Sequence, residues 1–188
     1  FSDKAYATSG GLHGVGISVV NALSSELVIE VARDRKLYRQ TYSRGTPTSK
    51  LQEVGAAPNR RGTRTTFLPD TEIFGPDLRF KPMRLYRLAR SKAYLYAGVE
   101  IRWKCAPELL KGEDIPAEAV FQFPGGLADH LKEVIDDREC VTSDIFAGRA
   151  DFPDSQGSVE WAIAWPVYGE GGGTYFCNTI PTPSGATH

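Results

Sequence analysis

Apolar residues recur every four positions at Val15, Val19 and Leu23, with Ile17, Val20 and Ala22 on neighbouring faces. This spacing predicts a mostly buried helix that ends near Ser24 and Ser25. The run "ELVIEVARD" that follows is rich in β-branched residues, and "KLYRQTY" comes after a polar tip at Asp34 and Arg35; together they predict a hairpin. Residues 46–61 are turn-rich, with Pro47 and Pro58, and read as a connection. In "GTRTTFLP" Gly62 opens and Pro69 closes a further strand.

Beyond a loop containing proline and glycine, residues 83–97 hold no helix breaker and set Leu85, Leu88 and Ala89 among arginines, which predicts a helix leading to the strand "VEIRW". Residues 105–118, "CAPELLKGEDIPAE", combine two prolines, a glycine and four carboxylates and read as an exposed connection near a boundary. A short strand "VFQF" reaches Gly125 and Gly126, and "LADHLKEVID" has helical periodicity through Leu127, Leu131, Val134 and Ile135. In "SVEWAIAWPV" Val159, Trp161, Ile163 and Trp165 alternate with smaller or charged residues, the period of a strand with one apolar face. The tip "GEGGG" and the strand-like "TYFCNTIP" are expected to complete a hairpin with it.

Composition adds bounds. The chain has 188 residues, 41% of them hydrophobic, and a formal net charge of −1, enough for a sizeable core and too neutral for a general attraction to nucleic acid or anionic membranes. Any DNA contact has to be local. Arg79, Lys81, Arg84, Arg87, Arg90 and Lys92 form one candidate, set against a solvated helix face over Leu85 and Leu88. Cys105, Cys140 and Cys177 are odd in number, widely spaced and without a CxxC pair, which disfavours a disulfide framework or a zinc site and suits a reducing compartment. No apolar run approaches the roughly 20 residues of a bilayer span, and the expectation is a cytoplasmic protein. The chain opens at Phe1 without a methionine and stops at His188 in what looks like mid-motif, so a partial chain is expected.

The candidate chemistry lies in "TSGGLHGVGISVVNALS", residues 8–24, where four glycines and His13 precede the helix. A helix N-terminus exposes unpaired N–H groups and the positive end of its dipole, and glycines let an anion approach them. Gly10 and Gly11 permit positive φ just before the helix, and Gly14 and Gly16 stand at its beginning. The Gly-Lys-Ser/Thr ending of a P-loop is missing, and no strand precedes the glycines in dinucleotide-fold spacing. Taken alone, the same glycines serve equally well for a tight turn, and His13 reads as a loop residue.

The wording of "SGGLHGVGISVVNALS" resembles the second glycine box of the GHKL ATPases, in the form found in the B subunits of bacterial type II topoisomerases. "RGTRTTFLPD" (61–70) is similar to the Gly-Thr box of that family, and "NTIPTPSGATH" (178–188) to a segment of its transducer domain. The last of these is closer to the topoisomerase IV branch than to gyrase. The resemblance implies an α+β fold, an α/β sandwich over residues 1–126 that carries the ATP lid, followed by part of a transducer over 127–188. It implies that Gly11, Leu12, His13, Gly14, Val15, Gly16 and Ile17 wrap the triphosphate and that Arg33, Thr63 and Thr65 line the pocket. Outside the resemblance, Thr63 is also what strand propensity would select, and Arg33 a solvated charge at a hairpin end. The implied cofactors are ATP and Mg2+, and the implied partners are DNA, the A subunit of topoisomerase IV and a second copy of the same chain closing an ATP-driven gate. The family's general-base glutamate and its magnesium-binding asparagine are expected ahead of Phe1, and its γ-phosphate lysine beyond His188. This chain alone is therefore expected not to hydrolyse ATP. The rival readings are another GHKL protein or a non-catalytic binding module, and convergence of Gly14, Gly16, Arg33 and Thr63 on one pocket would separate the enzyme from the module.

Overall fold

The computed structural model describes residues 15–153 and 157–182. It is a mixed α+β structure, as expected, and it divides between Arg79 and Phe80 into two compact units.

In residues 15–79, helix α1 (Gly16–Ala22) runs directly into β1 (Ser24–Arg33), which pairs antiparallel with β2 (Lys36–Ser43) in the register Leu27 to Tyr42 through Arg33 to Lys36. The two-residue tip forms as the sequence indicates: Asp34 and Arg35 have φ of 53° and 63°, the left-handed pair that suits the twist of a tight hairpin. The strand β5 (Gly62–Pro69) lies on the other side of β1, antiparallel to it, with Val31 opposite Thr63 and Ile29 opposite Thr65. Leu27 and Ala32 on β1 are buried.

Two expectations change here. Residues 46–61 are more than a connection: β3 (Thr46–Pro47) and β4 (Gln52–Ala56) both pair with β2. All five residues of β4 are exposed, so the apolar alternation that marks a half-buried strand is missing. The helix α1 is also not buried. Val15, Ile17 and Val19 are 45%, 47% and 49% exposed, and the helix meets β1 and β2. Apolar periodicity shows that a helix could be covered; the cover has to come from elsewhere in the chain or its partners, and the described residues do not supply it.

Residues 80–182 gather around α3 (Pro82–Leu95), which has Pro82 in its first turn, where a missing N–H costs nothing. It packs on a hairpin of β6 (Ile101–Lys104) and β7 (Glu118–Phe121), with Ile101 opposite Phe121. The core is Ala93, Tyr94, Phe121 and Phe123, with Tyr86, Ala89, Trp103, Leu127 and Phe176 against it. Tyr86 meets the rings of Phe121 and Trp103 edge-on at 5.0 and 5.7 Å, a favoured aromatic geometry. Helix α4 (Leu127–Ile135) follows Gly126, whose φ of 60° and close approach to Ala97 exclude a side chain. Leu127, the first residue of α4, packs on the Ala93, Tyr94, Phe121 and Phe123 core.

One pairing differs from expectation. The strand β9 (Ser158–Ile163) pairs with β8 (Phe146–Asp151), with Gly148 opposite Trp161, while β10 (Phe176–Cys177) and β11 (Ile180–Pro181) form their own hairpin. Period-two alternation identifies the faces of a strand and carries no information about its partner. The three cysteines are unpaired. No helix among the described residues is long and apolar enough to cross a membrane.

Candidate functional site

Side chains alternate across a strand, and residues directly opposite one another on neighbouring strands share a face. The β1–β5 register therefore puts Ile29, Val31, Arg33, Thr63 and Thr65 on one face of the sheet. Glu30 and Arg64 stand on the other face, where their charged groups are 3.7 Å apart. The first face offers two exposed threonine hydroxyls and an exposed arginine beside the aliphatic surface of Ile29 and Val31. Such a surface can accept a flat ligand with polar edges. Arg33 meets Asp34 at 3.4 Å with both side chains largely exposed, a pairing weak enough to be exchanged for a ligand.

Helix α1, in the same unit, begins at Gly16 with Val15 as its N-cap, whose side chain makes no cap hydrogen bond, so it leaves the first N–H groups to other acceptors. Among the described residues, none would come within 4 Å of a Cβ at Gly16. Ile17 is exposed beside it. Gly11, Leu12, His13 and Gly14 lie outside the described residues. The structure thus brings Arg33, Thr63 and Thr65 to one sheet face and sets Val15, Gly16 and Ile17 at the opening of α1.

A cluster that the sequence reading did not single out anchors this unit. Asp70 is 2% exposed. It caps α2 (Thr71–Phe74) by accepting the Glu72 N–H at 3.0 Å, and it binds Arg44 Nε at 2.5 Å. The Glu72 N–H and the Arg44 guanidinium hold its carboxyl below the usual carboxylate range. Glu72 and Asp70 together raise Arg44 further above its already high value. The cap alone was legible, because Asp70 directly precedes "TEIF".

The basic series, Arg79 and Lys81 ahead of α3 and the rest on it, separates into different situations. Arg79 donates to the carbonyls of Pro76 and Leu78, Arg90 pairs with Glu133, and Lys92 donates to Thr179 O and Oγ1, both at 2.8 Å. Lys81, Arg84 and Arg87 are exposed. Leu85 and Leu88 are exposed as well, so the helix buries Ala93 and Tyr94 instead, and no apolar stripe of those leucines lies beneath the arginines. A small cavity in the same unit, lined by Gly173, Thr174, Tyr175, Pro181 and Thr182, offers no carboxylate, histidine or cysteine.

No family model matches the chain. Over its whole length it is 55% identical to the B subunit of DNA topoisomerase 4 from Bartonella bacilliformis and 38% identical to the B subunit of DNA gyrase from Thermus thermophilus. It spans about a quarter of those relatives, 27% and 28% of their lengths. Among solved structures it is similar to the 43K ATPase domain of Thermus thermophilus gyrase B in complex with an aminocoumarin. The TM-score is 0.62 at 40% identity, covering 73% of this chain and 36% of that one. With its full length aligned at these identities, the chain is similar to a segment of the B subunits of the bacterial type II DNA topoisomerases, at higher identity to topoisomerase IV than to gyrase.

Proposed function

We propose that the chain is the nucleotide-binding part of a protein like the B subunit of topoisomerase IV, which binds ATP with Mg2+ to close a dimeric gate and pass one DNA segment through another. Residues 11–17 form the end of the ATP lid. Their backbone N–H groups donate to phosphate oxygens in place of water, and the N-terminal end of α1 adds its dipole. Thr63 and Thr65 present hydroxyls to the base, and Arg33 stands at the mouth of the pocket.

The observation that carries this reading is the sheet register: Arg33, Thr63 and Thr65 fall on one face in a chain that aligns along its whole length with the B subunit of topoisomerase 4. Hydrolysis needs a positioned base, a metal and charge stabilisation together. None of the residues assigned here is a carboxylate base, so turnover belongs to the full-length protein working with the A subunit on DNA. By the same resemblance, residues 1–126 belong to the ATPase sandwich and 127–188 to the transducer.

Calorimetric titration of the full-length protein with a non-hydrolysable ATP analogue and Mg2+ tests the assignment. With no described residue within 4 Å of a Cβ at Gly16, Gly16→Val is a clean probe. It is expected to weaken binding by about tenfold or more, equivalent to about 1.4 kcal/mol, at an unchanged melting temperature. Unaltered affinity would remove Gly16 from the phosphate site.

A further inference from the structure

Helix α1 has no buried residue, so side-chain burial does little to fix its direction. Its C-terminal end is held instead. The last carbonyls of a helix find no partner within it, and here two loops reach them and the start of β1. The Gly45 N–H donates to Asn21 O at 3.1 Å, the Asp70 N–H to Leu23 O at 3.0 Å and the Arg44 N–H to Ser24 O at 2.8 Å. Buried Ser24 adds an Oγ bond to Val20 O at 2.6 Å. Gly45, with φ of +83°, comes close enough that a Cβ would lie 3.6 Å from Ala22 Cα.

Side chains join the two loops to each other. Arg44 binds Asp70 through Nε at 2.5 Å and through Nη2 at 3.2 Å, and it reaches Glu72 Oε1 at 2.7 Å. Forked, charge-assisted contacts of this kind fix direction as well as distance. Asp70 Oδ1 also accepts the Glu72 N–H, so the carboxylate cannot turn without losing a cap.

We propose that Arg44 and Asp70 are positioning residues for the triphosphate: by clamping the two loops at the foot of α1 they set the direction in which the helix presents the Gly16 N–H. This rests on the ATP-binding reading above. Seven residues at 1.5 Å each make a lever of about 10 Å, so a tilt of about 10° at Leu23 moves Gly16 by about 2 Å. That displacement is larger than a hydrogen bond tolerates.

The test is steady-state ATPase kinetics and thermal melting of the full-length protein carrying Arg44→Met, Arg44→Lys, Asp70→Asn or Gly16→Val. Arg44→Met is expected to raise KM for ATP about tenfold with kcat within about twofold, the signature of lost ground-state binding. Arg44→Lys keeps one ionic contact and is expected to bring KM back to within about threefold of wild type. Asp70→Asn retains an acceptor for Glu72 but loses the charge, and is expected to raise KM between those two; it decides the matter if Arg44→Met does not fold. A lowered melting temperature with wild-type KM in Arg44→Met or Asp70→Asn would overturn the proposal and leave the clamp a structural feature. Gly16→Val separates the two readings: if it too leaves KM unchanged, the phosphate assignment fails, whereas a defect in Gly16→Val alone rejects only the positioning role.

Discussion

Among the described residues of 80–182 the buried set is Ala93, Tyr94, Phe121 and Phe123, apart from the small Ser91 and Gly126 and from Pro82 at the helix start, and aromatic edges meet at 5 to 6 Å around it. In residues 15–79 the buried set is Ser24, Leu27, Ala32, Ala57 and Asp70, so two of five are polar, and both are hydrogen-bonded. Apolar burial holds a unit together without specifying direction. Hydrogen bonds and ion pairs contribute less net energy and far more geometry. The unit with the candidate nucleotide face has the directional kind, as expected where N–H groups have to be aimed at a ligand.

The largest expected effect probes the apolar side of this contrast. Phe123 lies in the core beside Tyr94, and Phe123→Ala is expected to cost about 4 kcal/mol in urea unfolding. Leu27→Ala, at a fully buried position of β1, is expected to cost about 3 kcal/mol and to perturb nucleotide binding, which Phe123→Ala should affect less. Equal losses of binding in both variants would erase the distinction between the units.

Acid separates them further. The ring of His130 stacks on Tyr94 at 3.8 Å, and burial, with the nearby Arg90 cation, lowers its pKa against the opposing pull of Glu133. A depressed histidine stabilises the fold above its unfolded pKa of about 6.5, and that contribution is lost as pH falls through the lower folded value. Asp70 is depressed for a different reason, the Glu72 N–H and Arg44. Its contribution is complete above about 4 and lost only as pH falls below that. Hydrogen exchange followed from pH 7 to 3 should show residues 80–182 loosening first, and His130→Phe should abolish that early phase. Simultaneous loosening would contradict the assignment of causes. The smallest effect concerns the hairpin tip: Arg35→Gly relieves a left-handed arginine and is expected to raise stability by about 0.5 kcal/mol in the same urea assay.

Much of this was legible in the chain. The strands are legible at 26–34, 36–42 and 62–69 as runs with β-branched or aromatic residues between clear punctuation, and α3 is a long stretch without a breaker. Local patterns could not reveal that β9 would choose β8, because partner choice depends on residues distant in sequence. Nor could they show β4, which has no apolar face, or the exposure of α1, which depends on what covers it. Of the candidate site residues, Gly16 stands in the glycine box and Thr63 and Thr65 in the Gly-Thr box, while Arg33 stands in none of the quoted boxes. The Arg44–Asp70 pair spans 26 residues, and no local pattern announces such a contact.

The central claim is that a nucleotide lies across the β1–β5 face with its phosphates at the opening of α1. A crystal structure of the full-length protein with a non-hydrolysable ATP analogue and Mg2+ tests it most directly. The account requires the base beside Thr63 and Thr65, with phosphate oxygens within hydrogen-bond reach of the Gly16 N–H. A nucleotide bound away from that face, or one whose phosphates leave Gly16 untouched, would contradict it.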